Sequence, residues 1–541
     1  MPLNQSETTV AAASQEIHAP VRQESSQRHK SYFIFTLCAI VYLLPFMRVF
    51  LPWNNEGEFI YGAVRIVHGQ VFARDFFEVM GPGTFCSLAA FFKLFGVTFL
   101  VARIYLFLMS LGTGLLVYFL AHRLCGKYRI VPCILLAATY YGLQWPGISI
   151  HVDSNFFALL SVACMVLWQD RRRKSLLLVA GAVAGLTTCF LQQKGILLIC
   201  SILLWLWIQR QRRAATFSAM GWAVGGYLSI VGLVLAYFWS QGALSSLVYA
   251  NVLWPSTHYS AVNAVPYAQG ILRQYWDRWA SVSGAFHWPI AVAVVVITPF
   301  LFVAALPWFM ALYALLPILP RRYRWKDLAP ELVLCWLCGW ALWLSEVHRK
   351  DIGHLVFGAP LLTVLCIHLL QASPKKYAHY ALQILGITAA WLATLNFLGV
   401  LTAHPVMTRV GSVAMSRDAP GLAFVNAHVA PGEEMFVYPN CPIYYFFSST
   451  TNPTRYSNLI YNYNTTSQFQ EVIQVLDRRK VRYVLWDTNF EAKTVATLIP
   501  EEARTPPDGF LMESYLESHY NLVKEEDGYR IMERKGAEPA N

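Results

Sequence analysis

Charge is what this sequence has least of. Only 13% of its 541 residues are Asp, Glu, Lys or Arg, against 56% hydrophobic ones, and the mean hydropathy is +0.41. Soluble domains carry roughly a quarter of their residues charged, so a single water-soluble globule is excluded. Acids are the scarcer sign, 31 against 42 basic residues. That basic excess falls in short loops between apolar runs, where it reports topology, and a nucleic-acid partner is discounted. A disulfide framework is also missing, because the eleven cysteines sit mostly inside apolar runs. Cys335 and Cys338 have the spacing of a metal pair but no histidine or carboxylate beside them, so no metal and no cofactor is expected. No cleavable leader is expected either, since residues 1–30 are polar and the run that follows is too long for a signal core.

What the chain has instead is long apolar runs. A bilayer core of about 30 Å takes roughly 20 apolar residues as a helix, and about eleven runs qualify. They are Ser31 to Phe50, Phe99 to His122, Ile130 to Leu143, Ser154 to Trp168, Leu176 to Leu191, Ile196 to Ile208, Phe217 to Trp239, Phe286 to Leu319, Leu332 to Leu344, Leu355 to Leu370 and Ala381 to Leu401. The fold class is a polytopic α-helical membrane protein. The eighth run is too long for one straight helix and carries Pro289, Pro299, Pro307 and Pro317, so a break or a re-entrant turn is expected there.

Basic residues occupy every second loop: Arg123, Lys127 and Arg129; Arg171 to Lys174; Arg210, Arg212 and Arg213; Arg321, Arg322, Arg324 and Lys326; Lys375 and Lys376. The positive-inside rule then places the amino terminus in the cytoplasm and the tail after Leu401 outside. Three parts follow: a disordered cytoplasmic lead (1–30) with nothing to pack, a transmembrane domain (31–402), and a small extracytoplasmic α/β domain (403–541). In the tail, the patterns predict helices over Ala419 to His428 and Ser467 to Arg479, strands over Met435 to Tyr438 and Arg482 to Asp487, and a hairpin from Tyr520 to Glu533 around Asp527-Gly528.

Two external loops, 51–98 and 241–285, are long enough to carry binding or catalysis. In the first, Ile60, Ala63, Val64 and Val67 recur at helical spacing opposite Arg65, which predicts an amphipathic helix on the membrane surface. Just before it stand Glu56 and Glu58. Two residues apart on a helix they diverge by about 200°, so at most one points into a given site; both also suit a helix N-terminus as plain dipole partners. Asp153, opening the fourth span at the same membrane surface, is a second candidate acid or a helix cap. Arg103, Lys194, Arg349 and His354 map to that face too. Singly each reads as a snorkelling charge; together they suit an anionic headgroup, particularly phosphate.

A carboxylate and several cations at a lipid–water boundary fit the transfer of a sugar from a polyprenyl-phosphate carrier to a hydroxyl acceptor. The carboxylate takes the acceptor's proton and the cations stabilise the departing phosphate. A transporter or flippase of a lipid-linked substrate, or a non-catalytic protein on the same fold, are the rival readings.

The segments Asn55-Glu56-Gly57-Glu58-Phe59-Ile60-Tyr61-Gly62-Ala63, Gly69-Gln70-Val71-Phe72-Ala73-Arg74-Asp75-Phe76-Phe77, Pro82-Gly83-Thr84 and Phe92-Lys93-Leu94-Phe95-Gly96 with Val101-Ala102-Arg103 resemble the first loop and second span of GT-C fold glycosyltransferases. The likeness is to the bacterial group that includes protein-mannosyltransferase-like, aminoarabinose-transferase-like and rhizobial lipopolysaccharide-core transferases. It implies a bacterial inner-membrane enzyme, a hexosyl or pentosyl transferase using a polyprenyl-phosphate sugar, with an inverting displacement served by a first-loop acidic motif and by an aspartate of the next external loop, matched here by Asp153. The family's usual first aspartate is matched by Asn55, which cannot act as a base; Glu56 is then the motif-matched acid and Glu58 a substitute. Arg103, Lys194, Arg349 and His354 fall where carrier phosphate is held. Arg74 and Asp75 in the first loop, and His258, Tyr259, Asn263 and Tyr267 in the second long loop, are candidate sugar or acceptor contacts, with ordinary loop packing as the plainer reading.

Overall fold

The computed structural model describes residues 29–50, 56–140, 147–211, 216–259, 265–271, 289–315, 328–373, 375–415, 418–461, 463–490 and 510–537. Helix α1 (His29–Arg48) tightens into a 3-10 turn over Leu44–Arg48 and runs into strand β1 (Val49–Phe50). The first long loop folds as α2 (Glu56–Val67) and α3 (Gly83–Phe95). The bundle continues with α4 (Phe99–Leu124), α5 (Val131–Tyr140), α6 (Ile150–Arg171), α7 (Lys174–Phe190), α8 (Gln192–Gln211) and α9 (Phe217–Ser240). After the short α10 (Leu244–Val248) and helical turns to Tyr259 come α11 (Pro289–Leu315), α12 (Pro330–Glu346), α13 (Ile352–Gly358), α14 (Pro360–Ala372) and α15 (Lys376–Leu401).

Over its described residues each apolar run is mainly helical, but not each is a full span. Among the described residues seven helices can cross a bilayer by length and composition (α1, α4, α6, α8, α9, α11 and α15), and α13 with α14 make an eighth if counted as one bent span. The other three expected spans are α5, of which 10 residues are described and whose expected end at Leu143 lies outside the described residues, and α7 and α12, with 17 each, at the lower limit for crossing.

The expected break in the eighth run is corrected by the structure. Helix α11 passes unbroken through Pro299 and Pro307; Pro317 lies outside the described residues. The break falls instead between α13 and α14, which bend by 71°. Here Pro360 occupies the first turn of a new helix, where its missing N–H costs nothing. Gly358 just before it sits with its Cα against the backbone of Trp343, where a Cβ would come within 2.8 Å.

Helix α6 lies at the centre, with 78% of its apolar window buried, whereas α9 has only 17% buried and faces outward. The two are separated by α7, which meets α9 at backbone contact: a Cβ on Gly181 would fall 1.9 Å from the Ala223 carbonyl oxygen. Helices α4, α6 and α12 carry charge at both ends. At one end Arg123 bridges Asp170 (2.6 Å) and Glu331 (2.7 Å). At the other end the same helices present Arg103, Asp153 and Glu346, and there the tail is seated.

The tail begins as a hairpin of β2 (His404–Thr408) and β3 (Gly411–Met415), to which β1 adds in parallel, Val49 opposite Ala414. Then follow α16 (Leu422–His428), β4 (Phe436–Tyr438), α17 (Ile443–Phe447), α18 (Thr466–Arg479), β5 (Tyr483–Asp487), α19 (Leu511–His519), β6 (Tyr520–Glu526) and β7 (Tyr529–Arg534). The second sheet has the order β4-β5-β7-β6, parallel only between β4 and β5. Its last hairpin turns at Asp527 and Gly528 with φ +47° and +78°, the left-handed pair that an Asp-Gly turn supplies. Helix α18 starts on a capping box between Thr465 and Gln468.

A second correction concerns α2. It is not laid on a membrane surface, because every residue from Glu56 to Arg65 is buried. Helix α17 roofs it: Tyr61 stacks on Tyr445 at 4.6 Å, and a Cβ on Gly57 would lie 2.7 Å from Ile443 Cβ. Arg65, expected on the polar face, is 4% exposed. It donates to Gln70 Oε1 (2.6 Å) and to the carbonyls of Thr454 (3.0 Å) and Asp75 (3.3 Å).

The α7–α9 contact gives a direct check on the bundle. Gly181→Val places side-chain atoms against a backbone carbonyl, an overpacking cost at the upper end of the usual range, about 3 kcal/mol. Thermal unfolding of the purified protein followed by size-exclusion fluorescence is expected to show a marked loss of stability.

Candidate functional site

Helix α2 presents its two glutamates in different directions. Glu56 faces α4, where Arg103 donates from both arms, Nη1 to Oε1 and Nη2 to Oε2, each at 2.7 Å. Both side chains are fully buried. The backbone N–H of Ile148 adds a third donor at 3.0 Å, tying in the segment that leads to α6, and the guanidinium lies over the Phe99 ring at 4.4 Å. Arg103 therefore spends its fork on Glu56, and neither group of the pair is open to a substrate without breaking it. The expected phosphate contact at Arg103 is in this geometry an internal counter-ion.

Asp153 is also fully buried, one turn into α6, whose N-cap is Ser149. Its Oδ2 accepts from Thr84 Oγ1 (2.7 Å) on α3 and from Tyr105 OH (2.8 Å) on α4. Ser87 in turn bonds Tyr105 OH at 2.8 Å. Its Oδ1 has no hydrogen-bond partner among the described residues. Two hydroxyls thus fix the carboxylate through one oxygen, while the other, also buried, has its hydrogen-bonding capacity unused among the described residues.

Glu58 points the other way, toward Glu78 in the loop before α3. The two carboxyls lie within hydrogen-bonding reach of each other, both 4% exposed; Asn458 of the tail reaches Glu58, and Ser457 stands beside Glu78. Burial pushes both carboxyls above their ordinary range. Glu78 goes well above it, because the neighbouring Glu58 adds like-charge repulsion, while donors from Glu78 and Asn458 restrain Glu58.

Farther along the same end of the bundle, Lys194 on α8 pairs with Glu346 at the end of α12 (2.6 Å) and donates to Asn155 Oδ1 (2.7 Å); both charged side chains are fully buried. His151 Nδ1 approaches the other Glu346 oxygen at 2.9 Å. The rings of His151, His348 and His354 stand 5.0 to 6.4 Å apart. Arg349 (2.8 Å) and His354 (2.9 Å) share Asp351, which caps α13. Burial opposes its ionisation, but His354 and the Arg349 guanidinium beside it hold the Asp351 carboxyl below its usual range.

The remaining candidates scatter. Arg74 and Asp75 pair at 2.8 Å with side chains 43% and 32% exposed, and Arg74 also donates to the Gln241 carbonyl. His258 stacks on Trp254 at 5.2 Å, and Tyr259 ends the same helical turn. Tyr267 OH donates to the Ala304 carbonyl of α11 at 2.6 Å. Asn263 and Asn55 lie outside the described residues. Sequence reasoning missed Glu78, Glu346 and His151. Glu78 had a signal, a lone acid inside Phe76-Phe77-Glu78-Val79-Met80, as did Glu346 at the end of an apolar helix. Among the described residues no group of three or more His, Cys, Asp or Glu is arranged to hold a metal ion.

No protein-family model matches the chain, and no curated protein matches it in sequence. Solved structures do. The chain is similar to ArnT from Cupriavidus metallidurans bound to undecaprenyl phosphate, at 13% identity and a TM-score of 0.56, over 94% of this chain and 99% of that one. It is also similar to the apo oligosaccharyltransferase of Archaeoglobus fulgidus, at 12% identity and a TM-score of 0.51, over 93% of this chain and 74% of that one. At such identities the likeness establishes the fold, and the chain has the GT-C fold of these membrane proteins.

The bidentate pair predicts an asymmetry. Arg103→Ala strands the Glu56 charge and is expected to cost about 3–5 kcal/mol, whereas the double variant Arg103→Met, Glu56→Gln recovers much of that loss. Melting temperatures of the purified single and double variants check this.

Proposed function

We propose that this chain is a glycosyltransferase that moves a sugar from a polyprenyl-phosphate carrier to a hydroxyl acceptor at the extracytoplasmic face of a bacterial inner membrane. The observation that carries this reading is how the buried acids are compensated. Glu56 is neutralised by Arg103, whereas Glu58 and Asp153 are held by hydrogen-bonding groups, with no ion pair to either among the described residues. Acids so placed, at the loop end of a GT-C bundle, suit proton transfer rather than bracing. The undecaprenyl phosphate held by the ArnT structure supports a lipid-phosphate leaving group. The basic loops at the opposite helix ends support the orientation.

The acceptor hydroxyl attacks the anomeric carbon as its proton passes to a Glu58 oxygen. The carbon–oxygen bond to the carrier breaks, and the electron pair leaves with the phosphate. One displacement inverts the anomeric configuration. Asp153, its Oδ2 fixed by Thr84 and Tyr105, offers Oδ1 to a sugar or acceptor hydroxyl and orients it. Arg349 and His354 suit the departing phosphate, since they are about a quarter exposed and stand together beside Asp351. Lys194, fully buried on Glu346, stabilises the same region from behind. Arg74, Asp75, His258, Tyr259, Asn263 and Tyr267 remain proposed contacts for the acceptor or sugar.

Purified protein given radiolabelled polyprenyl-phosphate sugar and an envelope-lipid extract as acceptor source is expected to release free carrier phosphate and label a product. Glu58→Gln is expected to slow turnover by about 10²–10⁴-fold, and Asp153→Asn by about 10²-fold, in folded protein. Full turnover in both variants refutes the mechanism. Movement of the intact donor across the bilayer without carrier release points to a flippase.

A further inference from the structure

Two buried carboxyl groups within hydrogen-bonding reach cannot both ionise, because each charge raises the cost of the other in a medium that screens poorly. Glu58 and Glu78 therefore share one proton, and the surroundings decide which of them holds it. Charge settles where donors are. Glu58 is reached by the Asn458 side chain, whose own Oδ1 accepts no hydrogen bond among the described residues, as expected when the amide nitrogen is the end turned to the carboxylate. Glu78 keeps one oxygen, Oε1, buried without a partner among the described residues, a poor place for a negative charge. Arg65 is the cation facing Glu78, but it also serves Gln70, Thr454 and Asp75. Ser457 is the remaining polar neighbour of Glu78.

We propose that Glu78 is a standing carboxylic acid that donates a hydrogen bond to ionised Glu58, and that Asn458 of the tail supplies a second donor, so that the tail completes the proton-accepting group. Glu78 and Asn458 are positioning residues: they act on the acceptor proton through Glu58. The tail is placed for this task by the segment around residues 452–458. Asn452 N–H donates to Tyr61 OH at 2.7 Å, Arg65 donates to the Thr454 carbonyl, and Phe77 N–H donates to the Arg455 carbonyl at 2.9 Å. These bonds hold Asn458 against α2, which carries Glu58. A neutral donor facing a carboxylate lowers its proton affinity, so Glu58 stays ready to accept at a pH where a lone buried carboxylate would already be protonated.

This inference rests on Glu58 being the proton acceptor, and the experiment separates the two ideas. Turnover of the full-length enzyme is measured against pH. Activity needs ionised Glu58, so it is lost as pH falls through the acid midpoint. Removing a donor raises that midpoint: Glu78→Ala and Asn458→Ala are each expected to move it up by on the order of one pH unit. Glu78→Gln keeps a neutral donor and is expected to keep the wild-type midpoint. A purely packing role predicts a uniform loss of rate with no shift, and that result overturns the proposal. So does loss of transfer in Glu78→Gln with transfer retained in Glu58→Gln, which makes Glu78 the base. A second readout needs no activity: difference infrared spectra of the purified protein at neutral pH are expected to show a protonated carboxylic acid band that Glu78→Gln removes. If the wild type transfers no sugar at any pH, the functional reading fails and the infrared band alone decides; its absence overturns the shared proton.

Discussion

An acid inside this bundle survives only with a partner, and that requirement organises the end of the molecule where the tail sits. Four carboxyl groups meet it in four ways. Glu56 takes both arms of Arg103; Asp153 takes two hydroxyls; Glu346 takes Lys194 and His151; Glu58 faces a second carboxyl. Each solution also ties separate elements together: α2 to α4, α3 and α4 to α6, α6 and α8 to α12, and α2 to the tail. Where apolar side chains give little lateral preference among neighbours, such polar ties fix which helix faces which.

The ties differ in what they leave available. A bidentate guanidinium satisfies a carboxylate so fully that it becomes a strut, and its energetic weight lies in the cost of removing one half. Hydroxyl donors hold a carboxylate in place without cancelling its charge. A neighbouring acid goes further and adjusts how tightly a proton is held. The gradation from strut to tunable group runs along one short helix, over the two-residue step from Glu56 to Glu58, because α2 turns them to opposite sides.

Much of this architecture is legible in the sequence, since the apolar runs and the basic loops follow from the bilayer's demand for internally satisfied backbone. The Asp527-Gly528 hairpin and the α18 helix are legible for local reasons, a turn and a capping box. What is not legible depends on distant partners. Pro299 and Pro307 leave α11 continuous, while Pro360 opens a new helix because the chain at Gly358 packs on Trp343. Arg65 reads as the polar side of a surface helix, yet it is buried and one of its acceptors is the Thr454 carbonyl, far along the chain. For the site, Glu56, Glu58, Asp153, Arg103 and Lys194 can be named from residue type and position. Their pairing cannot: nothing local in Glu56 indicates Arg103, and Glu78 gains meaning only beside Glu58.

The parallel pairing of Val49 and Phe50 with Ala414 and Met415 joins the beginning of the chain to a strand made after the last bundle helix. Closing so large a loop adds little to the equilibrium cost, which grows only slowly with length, but it orders events in time. While the ribosome is still making the bundle, at roughly 5–20 residues per second, the N-terminal edge strand has no mate and the acids of α2 have no roof. Completion of the C-terminal strands is thus the step that turns a threaded but open polypeptide into a finished one. A prematurely terminated product displays bare strand edge and uncovered carboxyl groups, features by which proteolytic surveillance can tell it from the full-length molecule.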